Sequence, residues 1–186
     1  MEEGQSPHFG SNGGTFTNAG TVSGSTFAVN FSGYTNGAAY RLIADPGAVF
    51  NGVIAGGKGV LELASGSSTG TLNGFGSTIT NFSNLQFDKG GSWSISGDQG
   101  GLGTMSIVGL AAGDVVDLTG FAATAESFSN GTLTLTDSSN LQATLSFPDQ
   151  SNIKDFQFAP DGSGGTDIAG AGTGQTLTWT SSSGHD

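Results

Sequence analysis

The sequence predicts an all-β fold, a right-handed parallel β-solenoid (β-helix) of about seven short coils with a less regular C-terminal β section. Three observations lead to this prediction: brief runs of alternating apolar and polar residues, turns rich in Gly and Asn between them, and a glycine-containing triplet that recurs at a nearly constant interval. The chain of 186 residues is long enough to bury one hydrophobic core without a metal or a crosslink.

The composition favours short strands and many turns. The chain has 34 Gly and 4 Pro, and only 10% of its residues are charged. This balance excludes a highly charged disordered tail and also the Lys/Glu-rich surface of a cytosolic helical protein. The polarity comes instead from Gly, Ser, Thr and Asn, which suit pleated strands and tight turns.

Alternating runs predict strands with one buried face. They occur at residues 15–17, 26–31, 59–63, 78–80, 85–87, 93–95, 132–136, 143–147, 156–158 and 176–180. Helical periodicity is nearly absent, because the one stretch that hints at it, residues 110–116, is short and contains Gly113 and Asp114. Strands this short suit the coils of a solenoid better than the flat sheets of a sandwich.

A triplet of an apolar residue, then Asn, Ser or Thr, then Gly recurs along the chain. Its last residues are Gly52, Gly74, Gly97 and Gly120, which are 22, 23 and 23 residues apart. That interval is about one coil of a parallel β-helix, so the triplets are expected to stack. Earlier copies at residues 22–24 and 31–33 do not keep the interval, and the first coils are expected to be shorter or irregular.

Two Asp-x-Gly sequences precede aromatic residues and predict turns. They begin at Asp45 and at Asp88. The predicted organisation has four segments. These are a flexible or tag-like N-terminal segment (1–12), the solenoid coils (13–110), a C-terminal β section or cap (111–168), and a Gly/Ser/Thr-rich tail with one strand (169–186).

The charge excludes two classes of partner. The formal net charge is −11, and the only basic residues are Arg41, Lys58, Lys89 and Lys154. No basic face can therefore neutralise a phosphate backbone or an anionic membrane, so neither nucleic-acid binding nor membrane insertion is expected. The acid is uneven: residues 1–87 hold four acidic groups, whereas residues 88–186 hold eleven, and the two halves are expected to do different jobs.

Cysteine and targeting signals constrain the chemistry further. The chain has no Cys, which excludes disulfides, thiolate zinc sites and cysteine nucleophiles. No apolar run approaches the roughly 20 residues of a membrane helix. The N-terminal Met-Glu-Glu-Gly lacks the basic and apolar regions of a signal peptide, so export is expected to use another route or a signal that has been removed.

Residues 13–24, GGTFTNAGTVSG, resemble the G-G-x-x-x-N-x-G-x-[IV]-x-G repeats of autotransporter passengers and haemagglutinin-like adhesins. Residues 41–52 and 61–66 are similar to other coils of the same proteins, and the resemblance covers residues 13–97. It implies a structural or adhesive module that is extracellular or on a bacterial cell surface. Contacts with a host surface or matrix, or between copies of the chain, would then be its partners.

The C-terminal section resembles a different group. Residues 113–121, 131–136 and 161–168 are similar to segments that close the β-rolls or β-helices of type I secreted repeat proteins. In that group the implied role is structural, with no catalytic residues to carry over. The chain lacks the tandem calcium nonapeptide of such proteins, which leaves its calcium dependence open.

An enzyme on the same scaffold is an alternative, because pectin lyases and related glycosidases share the β-helix. Hydrolysis of a glycosidic bond needs two carboxylates a few Å apart in a groove. Asp114 and Asp117 are the nearest pair, but residues three apart on a strand point to opposite faces. His8 and His185 lie in the terminal segments, so we predict no catalytic residues.

Calcium is the better chemical candidate. Asp161 and Asp167 flank a Gly- and Ser-rich turn that offers the oxygen ligands Ca²⁺ prefers, and Asp114 and Asp117 are weaker candidates. A plain Asp-Gly turn is the alternative. No other cofactor is predicted.

The C-terminal tail carries the predicted self-association strand. It consists of Thr176, Leu177, Thr178, Trp179 and Thr180. Such a strand could pair with the open end of another copy and build an extracellular fibre, because an uncapped solenoid end is an unpaired edge. The Thr-x-Thr pattern also suggests ice binding, but that would need Thr rows on adjacent coils.

Overall fold

The computed structural model of the chain describes residues 13–32 and 40–171. In this part the strands are β1 (Gly14–Asn18), β2 (Thr21–Asn30), β3 (Tyr40–Ala44), β4 (Val49–Ala55), β5 (Val60–Leu63), β6 (Gly70–Phe75), β7 (Ile79–Thr80), β8 (Asn84–Phe87), β9 (Trp93–Gly97), β10 (Ser106–Val108), β11 (Val115–Leu118), β12 (Ala123–Ser129), β13 (Thr132–Asp137), β14 (Gln142–Ser146), β15 (Phe156–Pro160) and β16 (Thr166–Gly170). The helices are α1 (Gln99–Leu102) and a 3-10 turn (Ile153–Asp155). Neither of them is long and apolar enough to cross a membrane.

The strands form two sheets of eight. Sheet A has the order β1-β3-β5-β8-β10-β14-β13-β12, and sheet B has the order β15-β16-β11-β9-β6-β7-β4-β2. From β1 to β11 the chain passes back and forth between the two sheets, except that β6 and β7 both belong to sheet B. Neighbouring strands of each sheet in this part pair in parallel. This is the connectivity of a β-solenoid, as predicted.

Columns of inward side chains form the core between the sheets. On sheet A, ladder register stacks Phe16, Leu42, Leu61, Leu85 and Ile107 in successive coils. The last four are fully buried and belong to one hydrophobic cluster that also contains residues of sheet B. Each coil alone could not cover its apolar face, so the stacking of coils provides the hydrophobic driving force.

The solenoid has about four turns, fewer than the seven or so that the sequence suggested. The chain stops coiling after β11. Strands β12, β13 and β14 pair antiparallel and complete sheet A, whereas β15 and β16 pair antiparallel and complete sheet B. The residues after 118 therefore extend the existing sheets instead of adding coils. The change of pairing falls after Leu118.

The predicted Asp-x-Gly turns are present at two corners where the chain leaves sheet A. The amide of Ala48 donates to the carbonyl of Asp45 at 2.9 Å, and Gly91 donates to Asp88 at 3.1 Å. Gly47 has φ of 94° and Gly90 of 85°. These are the third residues of the turns, and the left-handed conformation there favours glycine.

The recurring triplets stack only in part. Leu72 pairs with Ile95 and Asn73 with Ser96, as the interval predicted. The triplet ending at Gly120 is out of register, because Val116 rather than Leu118 stacks on Ile95. Conversely, residues 22 and 23 stack on residues 50 and 51 although their spacing departs from the interval. A bulge in β2 absorbs the extra residues, so strand pairing rather than spacing sets the register.

Candidate functional site

Three carboxylates gather on sheet B where the parallel and antiparallel strands meet. Asp117 of β11 is the cross-strand partner of Asp167 of β16. Asp161 lies in the turn before β16, and a Cβ placed on Gly165 would lie 2.6 Å from its Oδ2 and 3.1 Å from Asp117 Oδ1. The two carboxylates thus converge beside a glycine that leaves room for them. We call Asp117, Asp161 and Asp167 the acidic cluster.

The pKa values of the acidic cluster are shifted in different directions. Burial raises the pKa of Asp117, and the charges of Asp167 and Asp161 raise it further. Burial also raises the pKa of Asp167, with a second contribution from Asp161. In contrast, backbone amides of Ser163 and Gly165 hold the pKa of the exposed Asp161 below its ordinary value. They donate to its Oδ1 at 2.6 and 2.7 Å. Asp161 is therefore the most strongly acidic member.

Asp114 does not join this cluster. It is buried, with 2% of its surface exposed. Its Oδ1 accepts from the amide of Trp93 at 3.0 Å and its Oδ2 from the amide of Ala111 at 3.0 Å. Burial raises its pKa, and these two hydrogen bonds oppose the rise.

The structure thus brings together three of the four predicted calcium ligands, Asp117, Asp161 and Asp167, and leaves Asp114 apart. Among residues 13–32 and 40–171, no group of three or more His, Cys, Asp or Glu residues has an arrangement that could hold a metal ion. Calcium binding therefore stays a prediction from the sequence. The predicted self-association strand at residues 176–180 lies outside the described residues.

Most of the acidic side chains described in the C-terminal half accept hydrogen bonds from backbone amides. Carboxylates that accept backbone amide hydrogens are those of Asp98, Asp114, Asp137, Asp149, Asp155 and Asp161. A carboxylate can accept several such bonds, which are stronger than bonds between neutral groups. The charge asymmetry noted in the sequence is thus largely a set of caps. Sequence reasoning missed four of these residues, although each precedes a Gly-, Ser- or Asn-rich turn or lies at the end of one.

Asn18 of the adhesin-like motif has a buried side chain that stabilises the fold. It is 4% exposed. Its Nδ2 donates to the carbonyl of Val49 at 3.1 Å, and its Oδ1 accepts from the amide of Gly20 at 3.0 Å. It therefore fastens the corner of the first coil to the start of β4. The motif Asn acts in the fold rather than in a binding site.

Replacing Asp117 with Asn should make the protein more stable at neutral pH by about 0.2–1 kcal/mol, the usual range for a cross-strand pair. The pKa of Asp117 is raised in the folded state, so its stability contribution is greatest in acid and falls as pH rises through the folded pKa. The gain should vanish below about pH 3.9, the ordinary pKa of Asp. Urea unfolding at pH 3.5, 5 and 7 measures this.

Asp161→Asn is the matched control with the opposite sign. The pKa of Asp161 is lowered in the folded state, so its contribution is present above the ordinary pKa and lost as pH falls. This variant should be less stable than the wild type at pH 7. Equal effects of the two substitutions would contradict the assigned roles.

Comparison of the chain with protein-family models, with curated proteins and with solved structures finds no match.

Proposed function

We propose that this chain is a non-catalytic structural or adhesive module of an exported bacterial surface or secreted repeat protein. The observation that carries the proposal is the use of polar and acidic side chains within the fold. Six carboxylates cap turns and a motif Asn fastens a corner. Such an arrangement supports a rigid body, because these side chains stabilise turns and corners. The sequence resemblance over residues 13–97 and 113–168 supports the same role.

The outer surface of sheet B supports a contact role. Short polar side chains lie in rows across its strands. Asn51 Nδ2 donates to Ser23 Oγ at 3.0 Å, and Ser96 Oγ donates to Asn73 Oδ1 at 2.9 Å. Short polar side chains of this kind can form hydrogen bonds with a host surface or matrix. We further propose that the coil is right-handed, the sense of nearly all parallel crossovers.

Protease resistance tests the structural role. A stacked solenoid with capped turns should open only by global unfolding, so the body should survive a broad-specificity protease at 25 °C. The matched control is Asp114→Ala, which should be cleaved faster because it lowers the free energy of unfolding. Rapid loss of the wild-type body under native conditions would refute a stiff extracellular spacer.

The alternative hypothesis, a carbohydrate-active enzyme, predicts that the protein releases sugar products. Incubation with acidic polysaccharides would release reducing ends or unsaturated sugars if the scaffold were a carbohydrate-active enzyme. We expect neither. Release that persists after Asp117→Asn but is lost on unfolding would replace the structural proposal with a catalytic one at another place in the fold.

Calcium dependence is tested by thermal unfolding. If the acidic cluster binds Ca²⁺, millimolar calcium should raise the Tm relative to excess EDTA, because a ligand that binds only the folded state stabilises it. The Asp161→Asn variant should lose the rise. An unchanged Tm would leave these carboxylates with their structural roles alone.

A further inference from the structure

Sheet B is interrupted by an open slot between two of its strands. Strand β4 pairs with β2 along most of its length, but on its other side only Ile54 and Ala55 have ladder partners, in β7. Strand β6 pairs with β9, and on its other side only Phe75 has a partner, Ile79 of β7. In the described residues no ladder joins residues 49–53 to residues 70–73. The two segments face each other across a cleft of about 260 Å³.

Strand β7 shows the width of this slot. It lies between β4 and β6 and pairs in parallel with both. At that end the two strands are therefore separated by the space of one strand. The slot continues the line of β7 toward the beginning of β4 and β6, and the turn at Thr78 closes one end. A single additional strand would complete the sheet.

Both walls of the slot offer backbone hydrogen bonds. The amide of Val49 donates away from the slot to Gly20 at 2.7 Å, and the amide of Gly70 donates away from it to Ser92 at 2.9 Å. Because the backbone groups of successive strand residues point to alternate sides, those of Phe50, Thr71 and Asn73 point into the slot. Unpaired strand edges of this kind are templates for another strand.

The side chains of the walls specify the pattern of the missing strand. Polar side chains form a row on the outer face of sheet B. Ser23 and Asn51 lie in this row on the β4 side of the slot, and Asn73 and Ser96 lie in it on the β6 side. Phe50 and Leu72 line the slot, and Leu72 is the ladder partner of the buried Ile95. A matching strand has small polar residues outward alternating with apolar residues inward. A ligand of drug-like size is a poorer fit, because pockets for such ligands usually exceed about 300 Å³ and are more enclosed.

Residues 176–180, Thr-Leu-Thr-Trp-Thr, have this alternation and the length of the unpaired part of β4. We infer that the slot receives residues 176–180 of a second copy of this chain as an inserted strand of sheet B. The threonines continue the outward polar row, and Leu177 and Trp179 share the inward face. The contact joins copies side to side, and it differs from the predicted pairing at a solenoid end, which β12 to β16 extend with antiparallel strands.

Chain reach favours a second copy. The described chain ends at Ala171 beside β16, and the slot is four strand positions away, beyond β11, β9 and β6. At a spacing of about 4.8 Å per strand this is roughly 19 Å. The six steps from Gly170, the last residue of β16, to Thr176 span at most about 22 Å fully extended. A Gly-rich linker of this length has an r.m.s. end-to-end distance of only about 12–15 Å. A strand from the same chain would therefore need an almost fully extended linker, whereas one from another copy is not constrained.

The full-length chain should associate with rising concentration, measured by sedimentation velocity. Val49→Asp in the slot and Trp179→Asp in the tail should each weaken association by about tenfold or more. Val49 is 46% exposed, so its substitution should leave thermal unfolding unchanged. The matched control is Leu141→Asp, since Leu141 is an exposed apolar residue, 65% accessible, outside the slot. It should associate like the wild type.

A mixing experiment shows whether the inserted strand comes from the same chain or from a second copy. The chain contains no Cys, so when a preparation with Asn51→Cys is mixed with one with Thr178→Cys, a disulfide between these two sites can form only across two copies. Each preparation oxidised alone is the control for disulfides between like sites. The mixture should give a covalent heterodimer. A crosslink only within a doubly substituted single chain would overturn the second-copy assignment. A monomer at all concentrations, or association insensitive to Val49→Asp, would overturn the slot itself, while protease resistance would still test the spacer role separately.

Discussion

Trp93→Ala should lower the free energy of unfolding by about 3–5 kcal/mol, the usual cost of removing a buried Trp. Trp93 is 1% exposed and opens β9 in the core between the sheets. Its Nε1 donates to the carbonyl of Ala64 at 2.9 Å, so the substitution also removes a partner of that carbonyl. Urea or thermal unfolding followed by circular dichroism measures the change.

Gly70 gives a matched test of where the ring lies. Gly70 is the ladder neighbour of Trp93, and a Cβ on Gly70 would meet the indole at 2.5 Å. Gly70→Ala should therefore destabilise the wild type and cost much less in the Trp93→Ala background. A coupling of about 0.5–3 kcal/mol is expected for residues in contact. Additive effects would show that the ring does not pack under β6.

Asp114→Ala should destabilise the fold by about 1–3 kcal/mol, the cost of a buried donor left without an acceptor. The substitution removes the acceptor of the buried amide of Trp93 and also that of the part-buried amide of Ala111. Asp114→Asn should be intermediate, since an amide side chain keeps one acceptor oxygen. Chemical denaturation near pH 7, where the unfolded carboxyl is ionised, gives the comparison.

Asp137→Ala is the control for Asp114→Ala. Asp137 also accepts two backbone amides, from Ser139 at 2.8 Å and Leu141 at 2.9 Å, but these bonds are exposed in the hairpin between β13 and β14. Water can replace them, so the cost should be about 1 kcal/mol or less. Similar losses for both variants would show that burial does not govern the strength of these caps.

Local sequence pattern predicted most of the strands that have one apolar face and flanking turns, such as β5, β8 and β13. It missed β3, β4, β6, β10, β11, β12 and β16. The segment 110–116, with its weak helical hint, contains the start of β11, and the parallel ladder to β9 determines the strand there. A short run of mixed residues has no decisive period of its own, so its conformation follows from its neighbours in the sheet.

The acidic cluster shows a similar division. The sequence singled out Asp117, Asp161 and Asp167 as oxygen donors, but Asp117 and Asp167 are 50 positions apart and meet only through the antiparallel pairing of β11 with β16. Asp114, grouped with them by proximity in the chain, is turned to the amides of Trp93 and Ala111. Proximity in the chain therefore does not determine which carboxylates lie together.

By itself, the sequence determined that this protein is all-β, that its strands are short, and that its corners need Gly, Asn and Asp. These properties depend on side-chain alternation and on the backbone conformations that single residues allow. Only the tertiary structure decided the number of coils, the antiparallel completion of both sheets and the slot between β4 and β6. Those features depend on hydrogen-bond register between residues far apart in the chain, which local periodicity does not encode.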